Sequence, residues 1–549
     1  MKNHIRYILT GVCIGLLSGI LPLSFLAQTA QPVYDIVIRN GRVLDGAGNP
    51  WIAADVAIKD GRFVRIGKID GKGKQEIDAN GKYVSPGWID MLDQSGSVLT
   101  RNGLAESKLL MGVTTGIAGE SGTPVPAEKL AEYFAGLEKS GISINFGTAY
   151  SETQARVAVL GEVSREPTPD ELARMKALME TAMKAGALGM TTALIYPPAS
   201  YSKTEELIEM AKVTGRYGGI YSTHIRGEGA ELVQSIKEAI TIGEKGGLPV
   251  EIFHLKAAYQ PGWGTLMREA GKEIEAARDR GLDVAADMYL YTAGGTSLSA
   301  VVPSWAAEGG NDKLMERLKD PATRERLKNE IKAGSPGWWN IIEASGGWQN
   351  VVVVGSGNKD NARFENKNIA QIAKELNKDP ADAAFDLIVQ SNGNASALYY
   401  LISEPDIETA VKFPWVSLGS DSAASFKLKD PNTVGMGHPR GYGNFPRLIA
   451  EYVRKKPVLT LPEAIRKMSG WPATRMRIAS RGFIKEGFWA DAVIFDYNTI
   501  QDESTYEHPF RTPTGIDYVL VNGQVVIEKG RHTGAKPGKV IYGPGRDLE

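Results

Sequence analysis

The sequence has almost no cysteine and no excess of charge of either sign. Cys13 is the one cysteine in 549 residues, which excludes an intrachain disulfide framework and a cluster of thiolate metal ligands. Lysine and arginine (63) balance aspartate and glutamate (64), so the formal net charge is −1. That balance excludes a strongly basic surface for nucleic acid or for an anionic membrane. The expected partners are therefore small molecules.

Long hydrophobic runs are also scarce, and the clearest one lies at the N-terminus. Lys2 and Arg6 precede an apolar run over residues 7–26, which is followed by small and polar residues. This order is typical of a secretory signal peptide over residues 1–30, so export to the periplasm or the medium is expected. An uncleaved anchor is the alternative, because the run approaches the ~20 residues that span a bilayer. No other membrane contact is expected.

Short alternating strands separated by turn residues occur at both ends of the chain. Near the start, Asn40-Gly41 and Asp60-Gly61 favour tight hairpins, and Asn522-Gly523 does the same near the end. The matching pattern predicts one small β-sandwich domain that is assembled from residues 31–84 and residues 481–549.

Between these ends, helices alternate with short apolar strands. Residues 168–171 have the pattern of a capping box and predict a helix that ends at Gly186. Strands such as residues 250–254 follow such helices and end in polar side chains. Repeated βα units over residues 85–480 predict a (β/α)8 TIM-like barrel with its active site at the carboxyl ends of the strands. A doubly wound sheet is the alternative.

One stretch interrupts this rhythm, from about residue 303 to residue 371. It is rich in glycine and charged residues and contains four tryptophans, Trp305, Trp338, Trp339 and Trp348. We interpret it as an insertion after a barrel strand. It is either a wall of the substrate pocket or a lid that only packs on the barrel.

Several motifs resemble the amidohydrolase superfamily, and they occur in family order over nearly the whole chain. Val84 to Asp90 resembles the entry to the first barrel strand, and Gly487 to Asp496 resembles the return to the β domain. Further blocks resemble the N-acyl-D-amino-acid deacylase (D-aminoacylase) family: Gly112 to Thr115, Thr223 to Arg226, Phe253 to Lys256, Gly419 to Asp421 and His438 to Gly443. The resemblance implies a metal-dependent hydrolase of N-acyl-D-amino acids or related D-configured amides.

The sequence departs from this family at the first metal subsite. The family usually has His-x-His after the strand-one aspartate, whereas this chain has Leu92 and Gln94 at those positions. Leucine has no ligand atom, and an amide oxygen is a poor zinc ligand compared with imidazole. A conventional centre with two metal ions is therefore not expected.

The second metal subsite is better supplied. His224 and His254 fall where the family places two metal ligands, at or just after expected barrel strands. The third family ligand is a cysteine, and the register places Ser121 there with Glu120 beside it. We favour Glu120, because a carboxylate binds zinc better than a hydroxyl does. One Zn²⁺ with an open water position is expected, although other divalent ions are alternatives.

The remaining site residues also follow from the resemblance. Asp421 is the expected general base and acid for a metal-activated water. Arg440 is the leading candidate to bind a substrate carboxylate, because a guanidinium can donate two parallel hydrogen bonds. Tyr196, Tyr289 and Tyr291 resemble family positions that line the same pocket. Lys256 and Arg226, two residues beyond the expected metal-ligand histidines, are alternatives to Arg440 for binding the carboxylate.

Other functions remain open from the sequence. The missing His-x-His favours a metal-free relative that keeps the pocket as a binding protein, whereas His224, His254 and Asp421 favour an enzyme. A dipeptidase or a cyclic-amide hydrolase of the same superfamily is a further alternative. A serine hydrolase fits poorly, because residues 119–123 lack the final glycine of a Gly-x-Ser-x-Gly turn.

Overall fold

The structure is a computed structural model that describes residues 33–334, 338–425 and 437–547. The predicted signal peptide, residues 1–30 with Cys13, lies outside the described residues. Within the described ranges, none of the helices combines the length and the hydrophobicity needed to cross a bilayer.

The described part of the chain begins with five strands of a β domain. Two of the three predicted hairpins are present. Asp60 and Gly61 have φ angles of 51° and 76°, and Asn522 and Gly523 have 47° and 76°, as a type I′ turn requires. The hairpin predicted at Asn40-Gly41 is wrong. Of the two residues, only Asn40 has a positive φ. The strand continues through the dipeptide, and its pairing with the next strand shifts register there, as in a β-bulge. The strands are β1 (Val33–Val43), β2 (Ile52–Lys59), β3 (Arg62–Gly67), β4 (Lys72–Asp78) and β5 (Tyr83–Pro86).

Parallel strands and their following helices form most of a barrel. Eight strand segments precede the insertion, namely β6 (Trp88–Asp93), β7 (Val113–Ala118), β8 (Asn145–Thr148), β9 (Tyr150–Ser151), β10 (Gly189–Ala193), β11 (Ile220–His224), β12 (Val250–Ile252) and β13 (Val284–Met288). The α-helices among them are α1 (Gly96–Leu99), α2 (Glu106–Leu110), α3 (Leu130–Ser140), α4 (Glu152–Leu160), α5 (Pro169–Ala185), α6 (Thr204–Arg216), α7 (Leu232–Gly246) and α8 (Leu266–Asp279). Because β8 and β9 follow one another directly, they serve as one position of the barrel.

Helix α5 shows why the sequence pattern predicts this layer well. Thr168 accepts a hydrogen bond from the Glu171 backbone, and the Glu171 carboxylate accepts one from the Thr168 backbone. Gly186 ends the helix with a φ of 105°. Both termini lie where the capping pattern predicts them.

A separate antiparallel sheet leaves the barrel after β13. Its strands are β14 (Ala293–Ser297), β15 (Val351–Gly355) and β16 (Ser396–Tyr400), in the order β14-β16-β15. The accompanying helices are α9 (Asn311–Lys319), α10 (Pro321–Ala333), α11 (Ile341–Ala344), α12 (Ile369–Leu376), α13 (Pro380–Gln390) and α14 (Glu404–Ala410). The insertion is therefore longer than the predicted residues 303–371. Strands β14 and β16 lie outside the predicted range, and each has only five residues, so the sequence does not distinguish them from barrel strands.

The chain then closes the barrel and returns to the β domain. Strand β17 (Val416–Leu418) pairs with β13, and a bridge between Asp93 and Ser422 joins this end to β6. The last helices are α15 (Arg440–Ile449), α16 (Leu461–Met468) and α17 (Gly470–Arg475), and the last strands are β18 (Ala492–Phe495), β19 (Ile516–Val521), β20 (Gln524–Glu528) and β21 (Arg531–His532).

Strands from both ends of the chain share one nine-stranded sheet, in which β18 pairs with β5. The prediction of a barrel with a β domain built from both ends is confirmed. The chain end departs from the predicted boundary, since the backbone of residues 538–543 bonds to the barrel at Ile142, Phe146 and Gly186 rather than to the sheet.

Candidate metal centre

Three ligand atoms converge at the carboxyl ends of the barrel strands. Glu120 follows β7, His224 ends β11, and His254 follows β12 with a φ of 35°. Glu120 Oε1 lies 3.0 Å from His224 Nδ1 and 3.1 Å from His254 Nε2, and the two ring nitrogens lie 3.0 Å apart. The structure thus brings together the three residues predicted as ligands, and it places Glu120 rather than Ser121 in the triangle.

The triangle fits a zinc ion. Ligands at about 2.0–2.2 Å in a tetrahedral site lie about 3.3 Å from one another, so each pair needs to separate by only a few tenths of an ångström. The three side chains are buried, with 2–7% of their surface exposed. Two imidazoles and one carboxylate also form the donor set of catalytic zinc sites that keep a fourth position open.

Buried charged groups around the triangle shift the pKa values of His224 and Glu120. Burial alone would lower the pKa of His224, but the charge of Glu228 and the hydrogen bond to Glu120 outweigh it and raise the pKa to about 9. Burial likewise opposes ionisation of Glu120, yet the hydrogen bonds from the two histidines hold its pKa well below the usual value. In the metal-free protein His224 is therefore protonated near neutral pH and paired with the Glu120 carboxylate, and a metal ion would take the place of that proton.

Glu228 is a site residue that the sequence analysis missed. Its Oε1 lies 3.1 Å from His254 Nδ1 and 3.4 Å from His224 Nε2, on the side of each ring that faces away from Glu120. It also accepts a hydrogen bond of 2.5 Å from Lys256. Only its place four residues after His224 in the Thr-His-Ile-Arg-Gly-Glu block could have indicated it. Such outer carboxylates orient metal-binding imidazoles.

Gln94 lies at the position where the family has a histidine. Its amide donates hydrogen bonds of 2.5 Å to Glu120 Oε2 and 3.4 Å to Asp421 Oδ1. Leu92 contributes its backbone carbonyl, which accepts from the Asp421 amide. The first subsite is thus replaced by hydrogen bonds that connect Glu120 to Asp421.

A buried lysine holds the segment that carries Asp421. Lys108 on α2 donates to Asp90 at 2.7 Å and lies 2.8 Å from Asp93. It also donates to the Ser420 hydroxyl and to the Ser422 carbonyl. These contacts fix residues 420–422 against β6.

Asp421 and Arg440 lie together beside the triangle. Asp421 has a φ of 47°, and its Oδ2 lies 2.9 Å from Arg440 Nη1. The guanidinium also stacks over the Tyr289 ring at 4.6 Å, and its Nε has no partner among the described residues. Arg440 thus keeps a donor for another anion.

The structure separates the other expected pocket residues into two groups. Tyr196 contacts the His224 ring edge to face at 5.2 Å, and Tyr289 lies 6.4 Å from the His254 ring, so both line the centre. Lys256 lies behind His254 and bonds Glu228. Arg226 and Tyr291 are directed elsewhere. Arg226 binds Glu238 and backbone carbonyls, and the Tyr291 hydroxyl lies 3.4 Å from Asp502.

Comparison with curated proteins shows similarity along the whole chain. A family model described as the amidohydrolase family matches residues 368–527. The chain is also 29% identical over 538 residues to a D-aminoacylase of Alcaligenes xylosoxydans xylosoxydans. That match covers 94% of this chain and 99% of the relative.

Solved structures show the same relationship. One is a D-aminoacylase described as having a binuclear metal centre, with activation by one metal and attenuation by the second. It is 28% identical with a TM-score of 0.76, covering 92% of this chain and 99% of its own. Another is the N-acyl-D-glutamate deacylase of Bordetella bronchiseptica in complex with zinc and a phosphonate that mimics the tetrahedral intermediate. It is 26% identical with a TM-score of 0.77, covering 93% and 100% of the two chains.

Proposed function

Because the chain belongs to the amidohydrolase superfamily and is D-aminoacylase-like, we propose that it hydrolyses the amide bond of N-acyl-D-amino acids with one zinc ion. The observation that carries this proposal is the triangle of Glu120, His224 and His254, whose ligand atoms lie 3.0–3.1 Å apart. The D configuration follows the activities named for the relatives.

A zinc ion bound in the triangle would polarise the scissile carbonyl and lower the pKa of water. The residues of the chain perform the remaining tasks. Glu228 orients both imidazoles, and Gln94 fixes the second oxygen of Glu120. Tyr196 and Tyr289 pack edge to face against the rings of His224 and His254.

Asp421 is the proton carrier in this proposal. It takes a proton from the water that attacks the carbonyl carbon, and it then gives that proton to the nitrogen as the C–N bond breaks. The products are a carboxylic acid and a free amino acid. Lys108 supports this role because it holds both neighbours of Asp421, the Ser420 hydroxyl and the Ser422 carbonyl.

Arg440 binds the carboxylate of the substrate. Its buried Nε has no partner among the described residues, and its Nη2 makes only a long hydrogen bond of 3.3 Å to the Gly295 carbonyl. Asp421 holds Nη1 in the free protein. A substrate carboxylate therefore sits next to the proton carrier and fixes the amide between Arg440 and the triangle.

A paired hydrolysis screen tests the function. The zinc-loaded protein is given N-acyl-D-amino acids, their L enantiomers, cyclic amides and L-dipeptides, and release of free amine is measured. We expect turnover of the D series only. Turnover confined to cyclic amides or L-dipeptides would reassign the reaction. No turnover, with no tightly bound zinc, would favour the metal-free binding protein that Leu92 and Gln94 suggest.

Export is a separate part of the proposal. Lys2, Arg6 and the apolar run over residues 7–26 support a signal peptide. Expression in a Gram-negative host followed by N-terminal sequencing of the periplasmic protein should give a start near residue 31. A protein that stays with the membrane at full length would indicate an anchor instead.

A further inference from the structure

A large cavity opens beside the metal centre. It has a volume of about 580 Å³, and both Glu120 and Tyr196 line it. Its walls come from the segment after β7, from β9 and the length of α4, and from the end of β10 with the segment after it. An acetyl group bound at the triangle would fill a small part of this space, since cavities of about 300–1,000 Å³ hold drug-sized ligands.

The chemistry of the walls selects what binds there. Most of the lining is apolar, with Val125, Val157, Ala158, Ala193, Pro197 and Ala199 among the residues that form it. No lysine or arginine lines the cavity, and its two charged residues, Glu120 and Glu162, are both acidic. A carboxylate is therefore repelled, and an uncharged apolar group is favoured.

The cavity and Arg440 lie on opposite sides of the barrel mouth. The cavity lies over the ends of β7, β9 and β10. Arg440 contacts Tyr289 after β13 and Asp421 after β17. In the parallel order of the barrel, β11 and β12 separate β10 from β13. An amide that spans the triangle with its carboxylate on Arg440 thus directs its acyl group into the cavity.

We propose that this cavity is an acyl-binding subsite that selects uncharged, apolar acyl groups longer than acetyl. The inference rests on the proposed function, because it takes the orientation of the substrate from Arg440 and the triangle. In this proposal the cavity binds the acyl group of the substrate and not the amino-acid side chain.

A chain-length series tests the subsite. The zinc-loaded protein is assayed with N-acetyl-, N-butanoyl-, N-hexanoyl- and N-octanoyl-D-alanine, and kcat/KM is compared. We expect kcat/KM to rise by up to about fourfold for each methylene that becomes buried. A flat series, with D-alanine derivatives still hydrolysed, would overturn the subsite and leave the proposed function intact.

A cavity-filling variant locates the effect. Ala158 is exposed on α4 and lines the cavity, so A158W should reduce the ratio of octanoyl to acetyl turnover at least tenfold. The matched control is A177W, at an exposed alanine of α5 outside the lining, which should leave the ratio unchanged. An equal ratio in A158W and the wild type would place the acyl group elsewhere.

A binding measurement separates the subsite from catalysis. Calorimetric titration of the metal-free protein with N-octanoyl-D-alanine and N-acetyl-D-alanine should give tighter binding of the octanoyl compound, and A158W should remove the difference. This result without turnover in the loaded protein would refute the proposed hydrolysis but keep the subsite. Equal binding of the two compounds, or an equal difference in A158W, would refute the subsite.

If preference follows the size of the amino-acid side chain instead, the cavity holds that side chain and the assignment is wrong.

Discussion

At the level of single residues, Glu228 is a side chain that contacts both imidazoles behind the candidate metal centre. One oxygen faces His224, His254 and Lys256, and the side chain is 3% exposed. Its negative charge lies beside the outer nitrogen of both rings, 3.1 Å from His254 Nδ1 and 3.4 Å from His224 Nε2, and so stabilises the orientation in which the other nitrogen of each ring faces Glu120.

Glu228→Gln should weaken zinc binding by about 10–100-fold, because the neutral amide removes the negative charge beside the outer nitrogen of each ring. A competitive titration with a chromophoric chelator measures the dissociation constant, and the thermal midpoint of the metal-free variant checks the fold. Glu231→Gln, on the same segment but exposed, is the matched control. A dissociation constant within twofold of the wild type would remove Glu228 from the centre.

Asp421→Asn separates proton transfer from metal binding. Asp421 is not one of the triangle residues, so zinc should still bind with one equivalent. Turnover should fall by about 10²–10⁴-fold, because an amide cannot carry the proton. Steady-state kinetics with metal analysis of the same sample measures both quantities. Retained turnover would exclude Asp421 as the proton carrier.

Much of the centre could be predicted residue by residue from family register, including Glu120, His224 and His254. The partners of the long side chains could not. Arg226 and Lys256 both lie two residues after a histidine, yet Arg226 turns to Glu238 and Lys256 turns to Glu228. Which carboxylate a flexible cation reaches depends on tertiary packing, and sequence spacing does not encode it.

At the level of secondary-structure elements, strand β12 contributes a buried carboxyl group, that of Glu251. Glu251 pairs with Arg475 of α17 at 2.8 Å, and its Oε1 has no partner among the described residues. Burial raises the pKa of Glu251 to about 7, against an ordinary value of 4.5. The folded protein therefore holds a proton in the range where the unfolded chain has lost it.

Glu251 should make stability depend on pH with a definite sign. Its contribution is complete below about pH 4.5 and is lost as the pH rises through about 7. Glu251→Gln should reduce the drop in unfolding free energy between pH 5 and pH 8 by about 2–3 kcal/mol. Urea unfolding at both pH values measures it, with the exposed Glu269→Gln as control. An unchanged drop would show that Glu251 is ionised in the fold.

The elements themselves were predictable where local chemistry decides them. Thr168 and Gly186 define α5 because capping acts within one turn of helix. Asn40-Gly41 misled because the same dipeptide suits a hairpin or a bulge, and pairing of β1 with distant strands decides between them. Strands β14 and β16 of the insertion were missed because a segment of five residues does not show whether it pairs within the barrel or in a separate sheet.

The whole molecule consists of a barrel and a β domain to which both ends of the chain contribute strands. The barrel places residues from four strand ends around one point, which no local pattern specifies. The periodic alternation of strands and helices nevertheless predicts this architecture, because the residues that form each βα unit are contiguous in the sequence.

Titration of metal-free protein with zinc, followed by hydrolysis of an N-acyl-D-amino acid, tests the central claim most directly. The account predicts that turnover rises in proportion to added zinc, reaches its maximum at one equivalent per chain, and is absent when both His224 and His254 are replaced by alanine. Full turnover without metal, or a maximum that requires two equivalents, would contradict it.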